Sequence, residues 1–428
     1  METMTDTKAP PPKRFPLFAL LGANAVSLVG SMLTMVALPW FVLQTTGSPT
    51  KTGLTGFFVA LPNFVAGIFG GTLVDRLGFK RSSVVADLVS GLGIAAVPLL
   101  YDTVGLAFWQ LLALVFVGSL LEIPGLTARR SLLPELAALA RQPLERVNAA
   151  YEGNQYLSQL AGPPIAGILI GVLGASNVLW LDAASFAISA AVVAVAIPAP
   201  GVRAVRARGA RYLDELLAGL RFLRRDSLLL TLALSLAITN FLSAPFFAVL
   251  LPVYAKGIYG HATALGLLIA AGGVGSVLGA VVFGTIGHRL PRRATWILGF
   301  VLVPLEYWVL AAEPALPVAM VGMAVVGLVA GPINPLLVTI RHERIPTELR
   351  GRVFSTFSAI TAVASPLGMV LGGILVAQLG LRPSIILLGA CAQLVGLGML
   401  LVPAFHAMDR PAPGCAAGPE QATGPMAG

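Results

Sequence analysis

Long apolar stretches, broken by short charged ones, set the rhythm of this chain. Twelve of them come near the ~20 residues that a helix needs to cross a hydrocarbon core. They are 16–44, 52–74, 82–101, 105–128, 147–173, 177–198, 227–255, 262–286, 294–312, 316–340, 351–379 and 383–404. We number them spans one to twelve. Glycine and proline interrupt many, as in "AGPPIAG" at Ala161–Gly167. The pattern predicts an all-α membrane protein with twelve transmembrane helices.

Composition agrees. Of 428 residues, 57% are hydrophobic and only 11% charged, against about 25% charged in soluble domains. The net charge of +9 would suit a nucleic-acid partner, but no such binding motif is present and the cations sit in loops between apolar runs. Their placement sets orientation instead. With both termini cytoplasmic, only Lys51, Lys256 and Arg382 of the 28 Lys and Arg are external, and no apolar core is expected to hold a cation. The opening run, Pro16 to Gln44, exceeds a signal h-region of roughly 7–15 residues and reads as a first span.

Enzyme chemistry finds no foothold. Cys391 and Cys415 suggest neither a disulfide framework nor a metal site, and the four histidines are scattered. "GGVGSVLG" at Gly272–Gly279 lies inside span eight, where close helix packing explains it better than a nucleotide loop. No cofactor and no metal are expected. An ion gradient is the expected energy source.

Residues 199–226 divide the chain. The second part, "ARYLDELLAGLRFLRRD", places Leu213, Leu216, Leu217, Leu220 and Leu223 at helical spacing. It reads either as an amphipathic helix on the membrane surface or as a solvated linker helix. The expected organisation is a disordered cytoplasmic N-terminus at 1–15 and a six-helix half at 16–198. The linker at 199–226, a second half at 227–404 and a disordered cytoplasmic tail at 405–428 follow. The halves echo each other. "GTLVDRLGFKR" at Gly71–Arg81 returns as "GTIGHRLPRR" at Gly284–Arg293, and an offset of 206 aligns Gly162 with Gly368, Gly167 with Gly373 and Gly174 with Gly380. Repeated halves around a binding site are a transporter architecture.

The first of those charged knots resembles the signature of the major facilitator superfamily, G-x-L-a-D-R-x-G-R-K. It reads Gly71, Leu73, Asp75, Arg76, Gly78 and Lys80, with Phe79 where the family has Arg and with Arg81 following. A second resemblance, to the helix-five motif of the family's proton-coupled exporters, covers Ser158, Gly162, Pro163 and Gly167. "RSLLPELA" and "LDAASF" look like the branch of enterobactin exporters and macrolide efflux proteins. The resemblance implies two pseudo-symmetric six-helix halves in a bacterial inner membrane and secondary transport by alternating access. It implies export of an amphipathic small molecule, such as a drug, macrolide or siderophore-like solute, with protons as the second partner and a monomer in the bilayer. A lysolipid or metabolite carrier without proton coupling is the alternative, and a non-transporting scaffold or receptor a more distant one. Asp75 would face a helix N-terminus of the other half, at span eleven, and latch the cytoplasmic side. Topology-setting charge is the plainer reading of the knot.

Many such antiporters carry an Arg inside helix four. Span four shows none within 105–128, and its buried charge would be Glu122. A carboxylate at mid-membrane costs about 2.5–3.5 kcal/mol, relieved by protonation. Glu152, Glu122, Asp182 and Glu306 are therefore candidate proton carriers. Glu152 comes first because Asn148, Glu152, Gln155 and Gln159 share one face of span five. Glu122 is equally readable as a partner for the knot's cations. Asn24, Asn240, Phe241, Phe246, Phe247 and Asn334 lie on spans one, seven and ten. Those helices line the cavity in the resembling family, so these residues join Gln155 and Gln159 as candidate solute contacts.

Overall fold

The computed structural model describes residues 13–198 and 212–409. The side chains at 63–65, 67–73, 75 and 212–215 also lie outside the description. Every regular element among the described residues is helical. Eleven segments are long and apolar enough to cross a membrane: Phe15–Thr46, Phe79–Thr103, Phe108–Ala140, Leu144–Leu173, Ala175–Ala196, Ser227–Tyr259, Ala262–Arg289, Arg292–Ala311, Leu316–Arg344, Thr347–Leu379 and Leu381–Leu401. Pro49–Leu77 is a further helix of 29 residues at the place of span two. The order is consistent with twelve spans.

Span four outruns its expected end by about three turns, reaching Ala140. Membrane thickness limits the apolar run and not the helix. Beyond it Leu132, Leu133, Leu136, Ala137 and Ala140 stay buried against Leu17, Leu20, Val147 and Tyr151. Several spans are broken. Leu121 leaves helical geometry (φ −103°, ψ 4°) and splits span four. Span seven carries π-helical turns at Phe246–Leu250 and Ala255–Tyr259, beside Pro245 and Pro252. Proline removes a backbone donor and crowds the preceding turn, and π turns absorb the mismatch.

Two compact units emerge from the contacts. One comprises Met1–Leu38 with Leu61–Arg208, the other Pro39–Ala60 with Gly209–Gly428. The turn joining spans one and two thus belongs with the second unit. Thr50 Oγ1 donates to the Gly373 carbonyl (3.2 Å) and Lys256 Nζ to the Leu43 carbonyl (2.8 Å). Within each half the repeated glycines do the same work. Gly174 and Gly380 cap spans five and eleven at φ 84° and 87°, a region that favours glycine. Gly162 sits against Met32 and Gly368 against the Phe241 carbonyl, where a Cβ would overlap either neighbour.

The linker helix, Tyr212–Arg225, is seated on span eleven. Thr356 Oγ1 donates to the Leu216 carbonyl (3.3 Å), Gly219 lies against Thr356, and Leu223 is fully buried. Part of its apolar face is thus covered by protein, while Leu217 stays exposed. Packed chain also extends past residue 404. Pro403–Met408 forms a 3-10 helix with Phe405 and Met408 buried, so only the expectation of disorder beyond 409 falls outside the described residues. The expectation for 1–12 does likewise.

Candidate functional site: a buried polar seam in the first unit

Three helices of the first unit carry polar residues along one face. Span one offers Asn24, Ser27, Ser31 and Thr34, span three Ser83, Asp87 and Ser90, and span six Asp182, Ser185 and Ser189. Each set recurs at three- or four-residue steps, which places it on a single helix face. Hydrocarbon leaves such groups unsatisfied, so the faces turn inward. Asn24, Ser83, Asp87, Asp182 and Ser189 are all nearly or fully buried.

Arg129 of span four joins two of these faces. Its Nη2 lies 2.5 Å from Asp87 Oδ1, with both side chains buried. Ser189 Oγ donates to the other carboxylate oxygen at 2.7 Å, and Arg129 Nη1 reaches Asn24 Oδ1 at 3.5 Å. Further along the seam, Asp182 accepts from Thr34 on one oxygen and from Ser185 on the other, the latter at 3.2 Å. Gly30 makes that approach possible, since a Cβ there would overlap Ser185 and Asp182. Beside Asp87 lies a small cleft with room for about one water, lined among others by Ser27, Ser31, Asp87, Ser90, Glu122 and Arg129. Glu122 makes no hydrogen bond with its carboxyl among the described residues. It lines the same cleft as Arg129 and Asp87. Arg129 Nε and Asn24 Nδ2 are buried without a partner.

This overturns one expectation. No apolar core was expected to hold a cation. Instead Arg129 is 3% exposed, while Arg130 turns outward and pairs with Glu152 at 2.6 Å. Neighbours on a helix diverge by about 100°, so one can enter the core while the next leaves it. The seam therefore holds three carboxyl groups and one guanidinium. A buried charge is tolerated when paired, and one guanidinium pairs with one carboxylate.

The other singled-out residues scatter. Glu152 is half-exposed in its ion pair, Gln155 is partly exposed, and Gln159 is exposed. Asn240 Nδ2 donates to the Thr361 carbonyl at 2.8 Å, tying span seven to span eleven. Phe246 is buried edge-on between Phe247 and Tyr307, with centroids 5.2 and 4.9 Å away. Phe247 and Asn334 are exposed, and Phe241 is intermediate. Glu306 is buried in span nine. In the helix-five motif, Ser158, Gly162, Pro163 and Gly167 are all buried. In the knot, Gly78 takes φ 78° at the start of span three, and Lys80 Nζ donates to the Ile197 carbonyl (2.6 Å), capping span six. Arg76 and Arg81 are exposed. The side chain of Asp75, with residue 71, lies outside the described residues.

Helix-only architecture, repeated halves and a charged seam inside one half define a multi-pass transporter. Comparison with known proteins makes this specific: the chain belongs to the Major Facilitator Superfamily, whose model matches residues 20–303 and 236–426. It is 33% identical over 412 residues to the multidrug efflux pump Tap of Mycolicibacterium fortuitum, covering 95% of this chain and 99% of that one. Tap of Mycobacterium tuberculosis (strain ATCC 25618 / H37Rv) is 34% identical over 400 residues, covering 92% and 95%. Macrolide efflux protein A of Streptococcus pyogenes is 22% identical over 402 residues, covering 92% and 97%. Among solved structures, a bacterial homologue of the human lysosomal transporter Spinster, inward-facing, superposes with a TM-score of 0.72 at 14% identity over 95% of this chain and all of that one. The nucleoside transporter NupG gives 0.70 at 11% identity, covering 90% and 98%. The chain is a transporter of the bacterial plasma membrane and not an enzyme.

Proposed function

We propose that this transporter exports amphipathic small molecules by alternating access, exchanging them for protons. Its relatives' drug and macrolide efflux supports the direction and the solute class. One observation carries the proton: two buried carboxyl groups, Asp87 and Asp182, and the partly buried Glu122 share a seam with a single guanidinium. Glu122 and Asp182 are then the coupling acids. Glu152, paired with Arg130 at the surface of the first unit, is the next candidate, and Glu306 of span nine follows. Solute contacts are assigned to Gln155, Gln159, Phe241, Phe247 and Asn334. Asp75, Arg76 and Lys80 form the cytoplasmic latch, and both termini face the cytoplasm. The protein works as a monomer.

Proteoliposomes loaded with a panel of amphipathic fluorescent cations test this reading. An imposed pH gradient should drive dye movement, and a protonophore should abolish it. Glu122→Gln and Asp182→Asn should each lose the gradient-driven component, with dye exchange across equal pH retained. Movement indifferent to the gradient refutes proton coupling. If it is lost only in Glu152→Gln, the coupling acid belongs to span five. Topology is tested by cysteines placed at Lys51 and Arg208, with Cys391 and Cys415 replaced. An impermeant thiol reagent applied to intact cells should label the former alone.

A further inference from the structure

We propose that Arg129 is a two-position switch, pairing with Asp87 when Glu122 is protonated and moving to Glu122 when that carboxyl is charged. The inference rests on the proton-coupled reading and deepens it by naming the moving part.

Geometry provides both positions. The first is occupied: Nη2 sits 2.5 Å from Asp87 Oδ1. The second lies on the same helix. Glu122 precedes Arg129 by seven residues, two turns and about 10.5 Å along the axis, on the same face. Helical side chains lean toward the N-terminus, which favours the reach of the Arg129 stem toward Glu122 and leaves the Glu122 carboxyl to turn back toward it. Between them stands Gly125, four residues before the one and three after the other. A Cβ there would lie 4.0 Å from Arg129 Nη2 and 2.7 Å from Ala86 Cβ. Any side chain at 125 would occupy the ground between the two positions, and glycine leaves it clear. Glu122, Asp87 and Arg129 line one cleft together with Ser90, Ala86 and Leu126.

Each position is also incomplete. Arg129 Nε is buried without a partner, and the Nη1 contact to Asn24 is long at 3.5 Å. Glu122 opens the helix that resumes after the break at Leu121, where helix N-terminal amides favour a carboxylate. When Glu122 loses its proton, two carboxylates compete for one cation. Ser189 remains with Asp87 after departure, donating at 2.7 Å. The other groups facing this pair are Asp182 of span six, held by Thr34 and Ser185, and Tyr151 of span five, which feels both Arg129 and Arg130. Neither offers Arg129 a third carboxylate within an ion pair among the described residues.

The test is solid-state NMR on the full chain in lipid, with nitrogen-15 arginine and carbon-13 aspartate and glutamate. Arg-to-carboxyl contacts are read in mildly acidic and mildly alkaline buffer. Aspartate and glutamate carboxyls resolve by shift, and Arg129→Lys assigns the signal by its loss. The expected result is an aspartate contact in acid and a glutamate contact in alkali, the latter lost in Glu122→Gln. Asp87→Asn should give the glutamate contact in both buffers. An aspartate contact unchanged in both buffers, in the native chain as in Glu122→Gln, overturns the switch. Should Asp87→Asn not fold, the native chain and Glu122→Gln decide the matter alone. No transport is needed for this readout. A contact that switches in a protein whose transport ignores the pH gradient leaves the switch standing and sinks proton coupling. Gradient-driven transport with a fixed contact does the reverse.

Discussion

The two units repeat each other in helices and glycines but not in what their interiors hold. Inside the first unit are Asp87, Arg129 and Asp182, each at most 3% exposed, with Glu122 in the cleft among them. The second unit's large core is apolar, built from Trp296, Phe300, Phe357, Phe405 and their neighbours. Its charges lie nearer the surface, from Arg344 and Asp226 at 12% and 20% exposure to Arg292 and Glu343 at 37%. Arg292 grips Glu343 with two bonds of 2.6 and 2.8 Å, and Arg344 joins Asp226 (3.2 Å) to the Ala407 carbonyl (2.6 Å). Arg341 stacks on Phe354 and Phe357 at 4.0 and 4.8 Å. Glu306, in span nine, is the exception. A repeat preserves what lets helices approach, because packing is demanded of both halves. A charged interior is not.

The largest effect should fall on the buried pair. Arg129→Met or Asp87→Ala leaves one charge buried without its partner, a loss of about 3–5 kcal/mol. Thermal unfolding of the purified protein in detergent should show the steepest drop for these two variants. A drop no larger than that of a rim variant would erase the contrast between the units.

The fold was largely legible because membrane thickness imposes a length on every apolar run. The glycines at 162, 174, 368 and 380 were legible too, as members of the repeat. Arg129 was not. It stands in "TARRSLL" next to an arginine that does face outward, and the apolar run appeared to end just before it. Its partner Asp87 is 42 residues away, a distance that no local pattern bridges. The signal lay elsewhere, in three polar faces on spans one, three and six that had no stated purpose. Buried polar faces call for partners, and the nearest unused cation was Arg129. Asn24, Asp182 and Glu122 were singled out separately, but nothing in the sequence gathers them. Glu152 drew attention because its stripe is long, yet much of that stripe is exposed on the first unit.

A smaller effect should separate tight from open packing within the second unit. Spans eight and ten meet through Gly272, Gly275 and Gly279, and a Cβ at Gly275 or Gly279 would overlap the backbone of Ala324 or Leu328. Gly275→Val should destabilise by about 1–3 kcal/mol through overpacking. Gly257→Ala, with nothing near its Cβ position, should change stability by less than about 0.5 kcal/mol. Equal unfolding temperatures for the two would mean that the seam yields.

The knots offer a third comparison, between Asp75 and its counterpart His288. Asp75→Asn keeps shape and removes the charge on which the proposed latch depends; a carboxylate at a helix N-terminus contributes about 0.3–2 kcal/mol. That magnitude shifts a balanced inward/outward equilibrium several-fold, so transport should fall while expression and unfolding temperature hold. His288→Asn should leave transport near native. Full transport by Asp75→Asn would reduce the knot to a topology signal.

The smallest effect should come from the best-formed pair at the rim. Arg292 and Glu343 make two short bonds in parallel, the geometry in which an ion pair is strongest. Exposure works against it: each side chain is 37% exposed, so water and salt screen the attraction. Exposed pairs contribute about 0–1 kcal/mol. A double-mutant cycle of Arg292→Gln and Glu343→Gln should therefore return a coupling energy inside that range, shrinking further as salt is raised. The comparison with Asp87 and Arg129 then becomes quantitative, because both pairs join neighbouring spans through a carboxylate and a guanidinium at similar distance. What separates them is burial. A rim coupling as large as the loss in Asp87→Ala would show that geometry rather than burial sets the strength of these pairs, and the polar interior of the first unit would lose its special standing.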